Sequence, residues 1–486
     1  MALQMLLLKQ LMVGEVDITA SLYKPLLLFL IIFIIPLLVL VIKHVKRSKL
    51  NLPPSPTEFP IIGNLHQLGT VPHRSLQALS RKYGPLMLLH MGSFPTLMMR
   101  THDIAFSNRP MITAAKIFVY GCKDVAFAPY GEYWRHARKI CVQELLKVAF
   151  LTNKIRRSCL HGGSVNISEM LRSVLSNIVS RCVLGRKVEE ENGQSMFGEL
   201  ARGVVENFSA FYFEDMFSCL GWLDVVTGKI GRSKASFRAL DAYFDQVIEE
   251  HRISESDDGQ SDRKDFVDIL LQLQKHGKLE IEITQDNIKA ILLEMFVGGT
   301  DSTSTTIEWT MVELMRNPNV MKKAQEEVSV VILIRWMYLK CVIKESLRLH
   351  PSAPLLVPRE TSAMIKMGSY DIPANTKLFV NAWSMQRGPE LWDRPEEFYP
   401  ERFMNNPVDY KGQYFQFIPF GGGRRGYPGM SFGVSTAEYV LAYLLYWFDW
   451  KLPDGTTAQN LDMTEVYGLA VHKKIPLHLL PTLHTP

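Results

Sequence analysis

A glycine-rich loop with two arginines occupies residues 417 to 433 and reads FIPFGGGRRGYPGMSFG. Gly421, Gly423 and Gly426 have the GxGxxG spacing with which a backbone approaches the pyrophosphate of a dinucleotide. However, Pro428 interrupts the start of the helix that follows. The chain also lacks the alternating series of strands and helices that builds a dinucleotide-binding sheet. Pro428 and the missing alternation of strands and helices therefore argue against a nucleotide site at this loop.

A second cluster with chemical potential is GGTDST, Gly298 to Thr303, in the middle of a long helical pattern. Paired glycines weaken a helix, and neighbouring hydroxyl and carboxylate side chains compete for its backbone hydrogen bonds. Two interpretations stay open. The segment is either a tolerated kink on a solvent-facing surface or a groove in which a flat ligand and water approach the backbone.

Three further motifs carry charged or aromatic side chains at helical or turn spacing. Glu345 and Arg348 lie three residues apart, which by itself predicts an ordinary surface ion pair. Trp134 and Arg138 share one helical face, as a packing aromatic residue beside a solvated cation would. Arg402 follows a proline in FYPERF, which is typical of a turn.

The elements that position these residues are mostly helical. The clearest helix runs from about residue 284 to 316, because Thr284 can cap it, Asp286 suits its first turn and Pro318 follows its end. At about 1.5 Å per residue, this helix would cross a whole domain. Strand-like runs are short and few, such as 84 to 92 and 377 to 383. The patterns predict a mainly α domain with a small β region.

Composition adds a broad class. The 486 residues are 47% hydrophobic and 21% charged, which suffices for a large core. The net charge of +5 is mild and no nucleic-acid motif is present, so we expect no nucleic-acid partner. The six cysteines are scattered and form no CxxC pair, as in proteins whose thiols stay reduced.

The N-terminal residues predict a membrane anchor. Residues 25 to 42 form an uncharged apolar run of membrane-spanning length, and a basic cluster follows it. By the positive-inside rule, residues 1 to 24 are lumenal and the remainder faces the cytosol. Residues 43 to 69 are basic and then proline-rich, which predicts a stiff hinge before a single domain at 70 to 486.

Taken together and in this order, the motifs resemble those of the cytochrome P-450 haem-thiolate monooxygenases, in particular the microsomal plant enzymes. The resemblance extends from the anchor to the C-terminus. It implies the cytochrome P-450 fold, haem b, and electrons from NADPH through a flavoprotein reductase. It also implies O2 and a small lipophilic substrate, in a single-pass protein of the endoplasmic reticulum membrane that contacts membrane lipid.

The resemblance also implies a role for each motif. Asp301, Ser302 and Thr303 match the oxygen-activation segment and would relay protons. Glu345, Arg348 and Arg402 match the family's buried ion-pair triad, which is structural. The residues that match its haem-binding positions are Trp134, Arg138, Arg359, Phe420, Gly423, Arg425 and Gly429. The residues that would line the substrate pocket are Phe296, Val297, Leu355 to Val357 and Tyr467 to Ala470.

Tyr427 departs from the family pattern, because it stands where the family has the cysteine that ligates haem iron. The thiolate donates electron density to iron and favours O–O cleavage. A phenol oxygen lies about 6.5 Å from its Cα, against about 2.8 Å for a cysteine sulfur. A loop shaped for cysteine would therefore have to retreat, or the ring would displace the haem.

Besides a monooxygenase, two other classes stay open. One is an inactive family member, and the second is a haem protein that has Tyr427 as its iron ligand and peroxide-type chemistry. Three segments are also shorter than the family's usual spacing, which predicts internal deletions. They lie near residues 96 to 103, after 144 to 147, and within 326 to 340.

Overall fold

The computed structural model describes residues 50–99, 108–129, 133–134, 163–185, 196–257, 265–276, 282–330 and 336–484. Helices dominate these residues, as the sequence predicts. They are α1 (Pro72–Tyr83), α2 (Thr113–Phe118), α3 (Ile167–Leu184), α4 (Met196–Phe208), α5 (Phe213–Met216), α6 (Trp222–Val226), α7 (Lys229–Asp257), α8 (Phe266–His276), α9 (Gln285–Arg316), α10 (Pro318–Val330), α11 (Met337–Leu349), α12 (Ala382–Met385) and α13 (Met430–Trp447).

The β structure of the described residues is small, which confirms a mainly α fold with a minor β region. The strands are β1 (Leu86–Met91), β2 (Phe94–Met99), β3 (Val165–Asn166), β4 (Arg359–Glu360), β5 (Ile365–Met367), β6 (Tyr370–Ile372), β7 (Lys377–Val380), β8 (Phe448–Lys451), β9 (Glu465–Val466), β10 (His472–Lys473) and β11 (His478–Leu483). One sheet has the order β1-β2-β7-β4, with β2 and β7 parallel, and another has the order β3-β11-β8.

The chain divides into two compact units. The smaller contains residues 364–372 and, among the described N-terminal residues, 50–53. In it β5 and β6 form an antiparallel hairpin, and the amide of Asn51 donates to the carbonyl oxygen of Ser369 over 2.8 Å. The larger unit contains residues 54–363 and 373–486, which include the predicted site residues.

Helix α9 begins and ends where the sequence predicts. Thr284 is its N-cap: its hydroxyl accepts from the backbone N–H of Asn287 at 3.3 Å, and the Asn287 side chain accepts from the N–H of Thr284 at 2.9 Å. This reciprocal pair satisfies two backbone donors that have no partner within the helix. Pro318 begins α10 directly after the helix ends.

The packing of α9 in the core determines where the segment Gly298 to Thr303 lies. The C-terminal half of α9, with Ile307 and Trp309, packs in one buried cluster with α3, α11 and α13. The N-terminal half, with Ile288 and Leu292, packs in another with α7, α8 and residues of α2. The segment Gly298 to Thr303 therefore lies where α9 passes from one cluster to the other.

The predicted strand at 377 to 383 is wrong at its end. Strand β7 stops at Val380, and α12 begins at Ala382. The cause is Asn381, whose side-chain oxygen accepts from the backbone N–H of Ser384 at 3.0 Å. An N-capping asparagine of this kind starts a helix, and so it ends the strand.

The predicted anchor, residues 25 to 42, and the lumenal segment before it lie outside the described residues. In the portion of the chain that the structure describes, every helix is too short or too polar to cross a bilayer. The described part of the proline-rich segment contacts β1, since the N–H of Asn64 donates to the carbonyl oxygen of His90 over 2.7 Å. The domain boundary at residue 70 stays a prediction.

Candidate active site

The buried ion-pair network fixes the chain before the glycine-rich loop. Glu345 and Arg348 on α11 are fully buried and form two hydrogen bonds, of 2.8 and 2.9 Å. Arg402 reaches the same carboxylate, with its Nε 3.0 Å from Oε1 of Glu345. Arg348 also donates to the carbonyl oxygens of Gln386 and Pro395, at 2.8 and 2.7 Å. The network thus joins α11 to residues 386–402, which lead into the loop.

The loop itself turns tightly through its glycines. Gly421 and Gly423 have φ values of +72° and +65°, a conformation that side chains with a Cβ rarely adopt. The N–H of Tyr427 donates to the carbonyl oxygen of Phe420 at 2.9 Å, which closes the turn. Arg359 on β4 donates to the carbonyl oxygen of Gly422, also at 2.9 Å. The turn presents Tyr427 toward α9.

Three arginines converge beside the loop. Arg425 is buried; it donates to the carbonyl oxygen of Ala128 at 2.6 Å, and its guanidinium lies 4.5 Å from the ring centre of Trp134. Burial and the charges of Arg359 and Arg425 lower the pKa of Arg109 well below its usual range. Arg138, the other predicted cation, lies outside the described residues.

Arg109 is a site residue that the sequence analysis missed. Its side chain donates to the carbonyl oxygens of Ala126 at 3.1 Å and Pro358 at 2.8 Å. It belongs to no motif of the sequence, and only the folded chain brings it to Arg359 and Arg425. Converging guanidinium groups are suited to carboxylates or phosphates.

Two carboxyl groups that the sequence analysis also missed face the same cavity. Glu294 on α9 accepts a hydrogen bond from the N–H of Val125, and Asp124 accepts from the N–H of Phe127 at 3.2 Å. Burial raises the pKa of Asp124 to about 7. Burial, and then the charge of Asp124, raises the pKa of Glu294 well above its usual range. The bond to Glu294 holds residues 124–127 against α9, and Asp124 closes a turn within that segment.

The acid and hydroxyl residues of α9 line this cavity. Asp301, Ser302 and Thr303 all contribute to its wall. The Ser302 hydroxyl donates to the carbonyl oxygen of Gly298 at 2.6 Å, within its own helix. Burial raises the pKa of Asp301, while the charges of Arg172 and His472 act in the opposite direction. The structure thus places the cluster at a groove rather than on a solvent-facing kink.

The cavity contains about 1590 Å³ of empty space, including the part that is open to solvent. Its predicted apolar lining is partly correct, since Val297, Leu356, Val357, Leu469 and Ala470 contact it. The described cysteines are unpaired, and none of them lines it.

Four positions of the predicted lining do not border the cavity: Phe296, Leu355, Tyr467 and Gly468. Phe296 lies on another face of α9 and is buried in the core with the helices around it. Leu355 points away from the cavity, unlike its neighbour Leu356, and packs against Leu76 and Leu89 near the sheet. Tyr467 also lies apart from the wall, and its ring faces His73 at 6.3 Å between centroids.

Tyr427 reaches across the cavity from the loop to α9. A Cβ added to Gly298 would lie 2.9 Å from the Tyr427 hydroxyl oxygen, and one added to Gly429 would lie 2.8 Å from it. With a Cα–Cβ bond of about 1.5 Å, the hydroxyl is within about 4.4 Å of both glycine Cα atoms. The phenol oxygen therefore lies between the two walls, with one glycine on each.

The haem that the resemblance implies fits this site at its charged edge. Arg109 and Arg425, which are buried, converge there with the half-buried Arg359, and Trp134 lies against Arg425. Two propionates would supply the negative charge that such a cluster attracts. The roles of Trp134, Arg359 and Arg425 as haem-binding residues stay a prediction.

At its centre the site does not fit haem. A flat macrocycle needs about 3.5 Å to the carbon atoms on each side of it. The Tyr427 hydroxyl already occupies the layer between Gly298 and Gly429. The macrocycle and the phenol cannot occupy that layer together. Since the ring extends beyond the position of a cysteine sulfur, the site as written disagrees with the cofactor of the family it resembles.

Comparisons with known proteins agree on the family. The family model described as cytochrome P450 matches residues 53–480. A phenylacetaldehyde oxime monooxygenase of Prunus mume is 49% identical, over 91% of this chain and 91% of its own. Cytochrome P450 71A1 of Persea americana is 47% identical, over 87% and 91%. A costunolide synthase of Cichorium intybus is 42% identical, over 90% and 94%.

The alignment with the Prunus mume protein spans 479 positions. The 91% of this 486-residue chain that it covers contains fewer residues than that. That relative therefore has internal residues without a counterpart here; where they fall stays a prediction. The matching family uses haem and takes NADPH-derived electrons through a reductase. With a family model over most of its length and such relatives, this chain belongs to the cytochrome P450 family.

Proposed function

We propose that this chain has the architecture of a haem-dependent monooxygenase that inserts one oxygen atom of O2 into a small lipophilic substrate. Its electrons would come from NADPH through a flavoprotein reductase. The observation that carries the proposal is the cavity between α9 and the loop. It joins an apolar wall, an acid and hydroxyl wall at Asp301 to Thr303, and a buried cationic edge.

The apolar wall supports a lipophilic substrate. Val297 on α9, Leu356 and Val357 before β4, and Leu469 and Ala470 before β10 face the same space. Burying a hydrocarbon against such side chains gains about 25 cal/mol per Å² of apolar surface. The names of the relatives favour a plant secondary metabolite, and phenylacetaldehyde oxime is the first compound to test.

Asp301 is the residue that we assign to proton handling. It borders the cavity, and burial raises the pKa of its carboxyl group. A group with a raised pKa can accept and return a proton nearer to neutral pH. Ser302 is less suited in this arrangement, because its hydroxyl already donates to the carbonyl of Gly298. Thr303, which is buried beside Gly433, completes the wall.

The proposal is tested with Tyr427→Cys, a variant that supplies the family's ligand. We expect this variant, with an NADPH-dependent reductase and isotopically labelled O2, to form a product with one labelled oxygen from at least one lipophile. Adding Asp301→Asn should slow product formation by about a hundredfold or more, the usual contribution of a positioned proton donor or acceptor. A variant that binds haem and oxidises none of a broad panel of lipophiles would contradict the proposal.

An inactive family member is the second candidate, and the position of Tyr427 favours it. The phenol oxygen lies within the macrocycle layer, close to Gly298 and Gly429. The chain as written would then keep the fold and the cavity without the reaction. The third class, with tyrosinate as the iron ligand, requires the loop to withdraw so that the oxygen lies below that layer, and it has less support.

The proposal includes attachment to the endoplasmic reticulum membrane through residues 25 to 42, with the catalytic domain in the cytosol. The support is the uncharged run and the basic residues that follow it. Deleting residues 1 to 49 should move much of the protein from the membrane pellet to the supernatant after high-speed centrifugation. The full-length chain, expressed in parallel, is the control. Recovery of that chain in the supernatant would show that the anchor assignment is wrong.

A further inference from the structure

We infer that the Tyr427 side chain fills the layer that the family's macrocycle occupies, so that the chain as written folds around the phenol as a haem-free protein. The inference rests on the proposed function and extends it. The residue at position 427 decides whether haem or that residue's own side chain fills the site. The inference needs no substrate and can be tested on the purified chain alone.

The first support is the fit of the phenol between two glycines from separate elements. Gly298 belongs to α9, and Gly429 is the N-cap of α13. A Cβ at either position would lie under 3.0 Å from the Tyr427 hydroxyl oxygen. The Gly429 position would also meet ring carbons, with Cζ at 2.9 Å and Cε1 at 3.0 Å. Both walls therefore accommodate the phenol only because they lack side chains there.

The second support is that the ring is held from its other end. The backbone N–H of Tyr427 donates to the carbonyl oxygen of Phe420 at 2.9 Å. The two rings are nearly parallel, at 16°, with centroids 6.2 Å apart. Because the loop is closed by this bond and by the contact of Arg359 with Gly422, a retreat of the phenol requires the whole turn to move.

The contact between Tyr427 and Gly298 predicts that Gly298→Ala lowers the stability of the chain as written. In the Tyr427→Cys background the same substitution should not lower it. Glycine within a helix normally costs stability relative to alanine. Gly298→Ala should therefore stabilise α9 wherever space allows. With Tyr427 present, the new methyl group meets the phenol oxygen at 2.9 Å, and the same substitution should destabilise the protein.

The experiment is a double-mutant cycle on the full-length chain in detergent, with melting temperature as the measurement. We expect Gly298→Ala to lower the melting temperature of the chain as written by several degrees. In the Tyr427→Cys background it should leave the melting temperature unchanged or raise it. Gly203→Ala in α4 is the control, because its Cβ would meet nothing within 4 Å, and it should act alike in both backgrounds. An equal, stabilising effect of Gly298→Ala in both would overturn the inference.

Haem content gives a separate readout. Protein purified from cells supplied with a haem precursor should contain far less than one haem per chain as written, and Tyr427→Cys should raise this ratio at least severalfold. Tyr427→Phe keeps the ring without the hydroxyl, so it should stay haem-poor and should weaken the penalty of Gly298→Ala. This variant keeps the test available if Tyr427→Cys folds poorly. One haem per chain in the unmodified protein would overturn the inference.

The experiments distinguish a failure of the proposed function from a failure of the inference about Tyr427. If Tyr427→Cys gains haem and oxidises no lipophile, the proposed function is wrong and the closed layer stands. If the unmodified chain contains one haem that Tyr427→Phe loses, the phenol is an iron ligand, and the closed layer is wrong while oxidation chemistry remains open.

Discussion

Replacing Arg348 with alanine should remove most of the folded protein, and not only its activity. The guanidinium is fully buried, and it forms two hydrogen bonds to Glu345 and further ones to the carbonyl oxygens of Gln386 and Pro395. Without it, the Glu345 carboxylate keeps Arg402 but loses its bidentate partner. Breaking a buried pair by removing one member costs about 3–5 kcal/mol. A typical protein has only about 5–15 kcal/mol of net stability.

The measurement is the yield of folded protein and its melting temperature, both compared with those of Arg394→Ala. Arg394 is partly exposed and pairs with Asp393 at 3.3 Å and with Glu397 at 3.4 Å, so it matches Arg348 in charge but not in burial. Such exposed pairs contribute under about 1 kcal/mol. An Arg348→Ala protein with an unchanged melting temperature and lost activity would contradict the structural role and assign Arg348 to the chemistry.

The contrast between these arginines shows what the sequence can predict. The spacing of Glu345 and Arg348 indicates a pair, but the same spacing fits an exposed pair of little energetic consequence. Only the resemblance to a family predicted burial, and the structure then placed Arg402 on the same carboxylate. Local signals were more direct: Thr284 and Asp286 predict the start of α9, because a capping residue and an acidic first turn depend only on neighbours in the chain.

Residues that converge only through tertiary structure were missed. Arg109, Asp124 and Glu294 carry no motif, and each belongs to a different stretch of the sequence. They meet because residues 124–127 pack on α9 and the loop lies beside them. Leu355 and Leu356 show a related limit, since the sequence predicts that both line the pocket and the backbone directs only one of them there.

Tyr427 is the case in which elementary geometry predicts a conflict with haem. The length of a tyrosine side chain indicates that its oxygen extends beyond a cysteine sulfur by about 3.7 Å. In the structure the Tyr427 side chain extends toward Gly298 rather than away from it. What the sequence could not supply is that the glycines at 298 and 429 leave room for the phenol.

The second large effect should appear in the absorption spectrum of the reduced carbon monoxide complex. We expect the chain as written to lack the absorption shift that a thiolate ligand produces, because the described cysteines do not reach the cavity and Tyr427 holds the ligand position. Tyr427→Cys should introduce the shift, since a short sulfur clears the layer between Gly298 and Gly429. Tyr427→Phe is the matched control: it alters the same position, supplies no ligand and should give no thiolate signal.

The signal of Tyr427→Cys should be partial, and the predicted deletions are the reason. They adjoin elements that border the site: β2 pairs with β7, which pairs with β4 and so with Arg359. Restoring the segments near 96 to 103, after 147 and within 326 to 340, together with the cysteine, should bring the thiolate absorbance to about one equivalent per chain. A full thiolate spectrum from the unmodified chain would overturn this order, because another cysteine would then have to reach the iron.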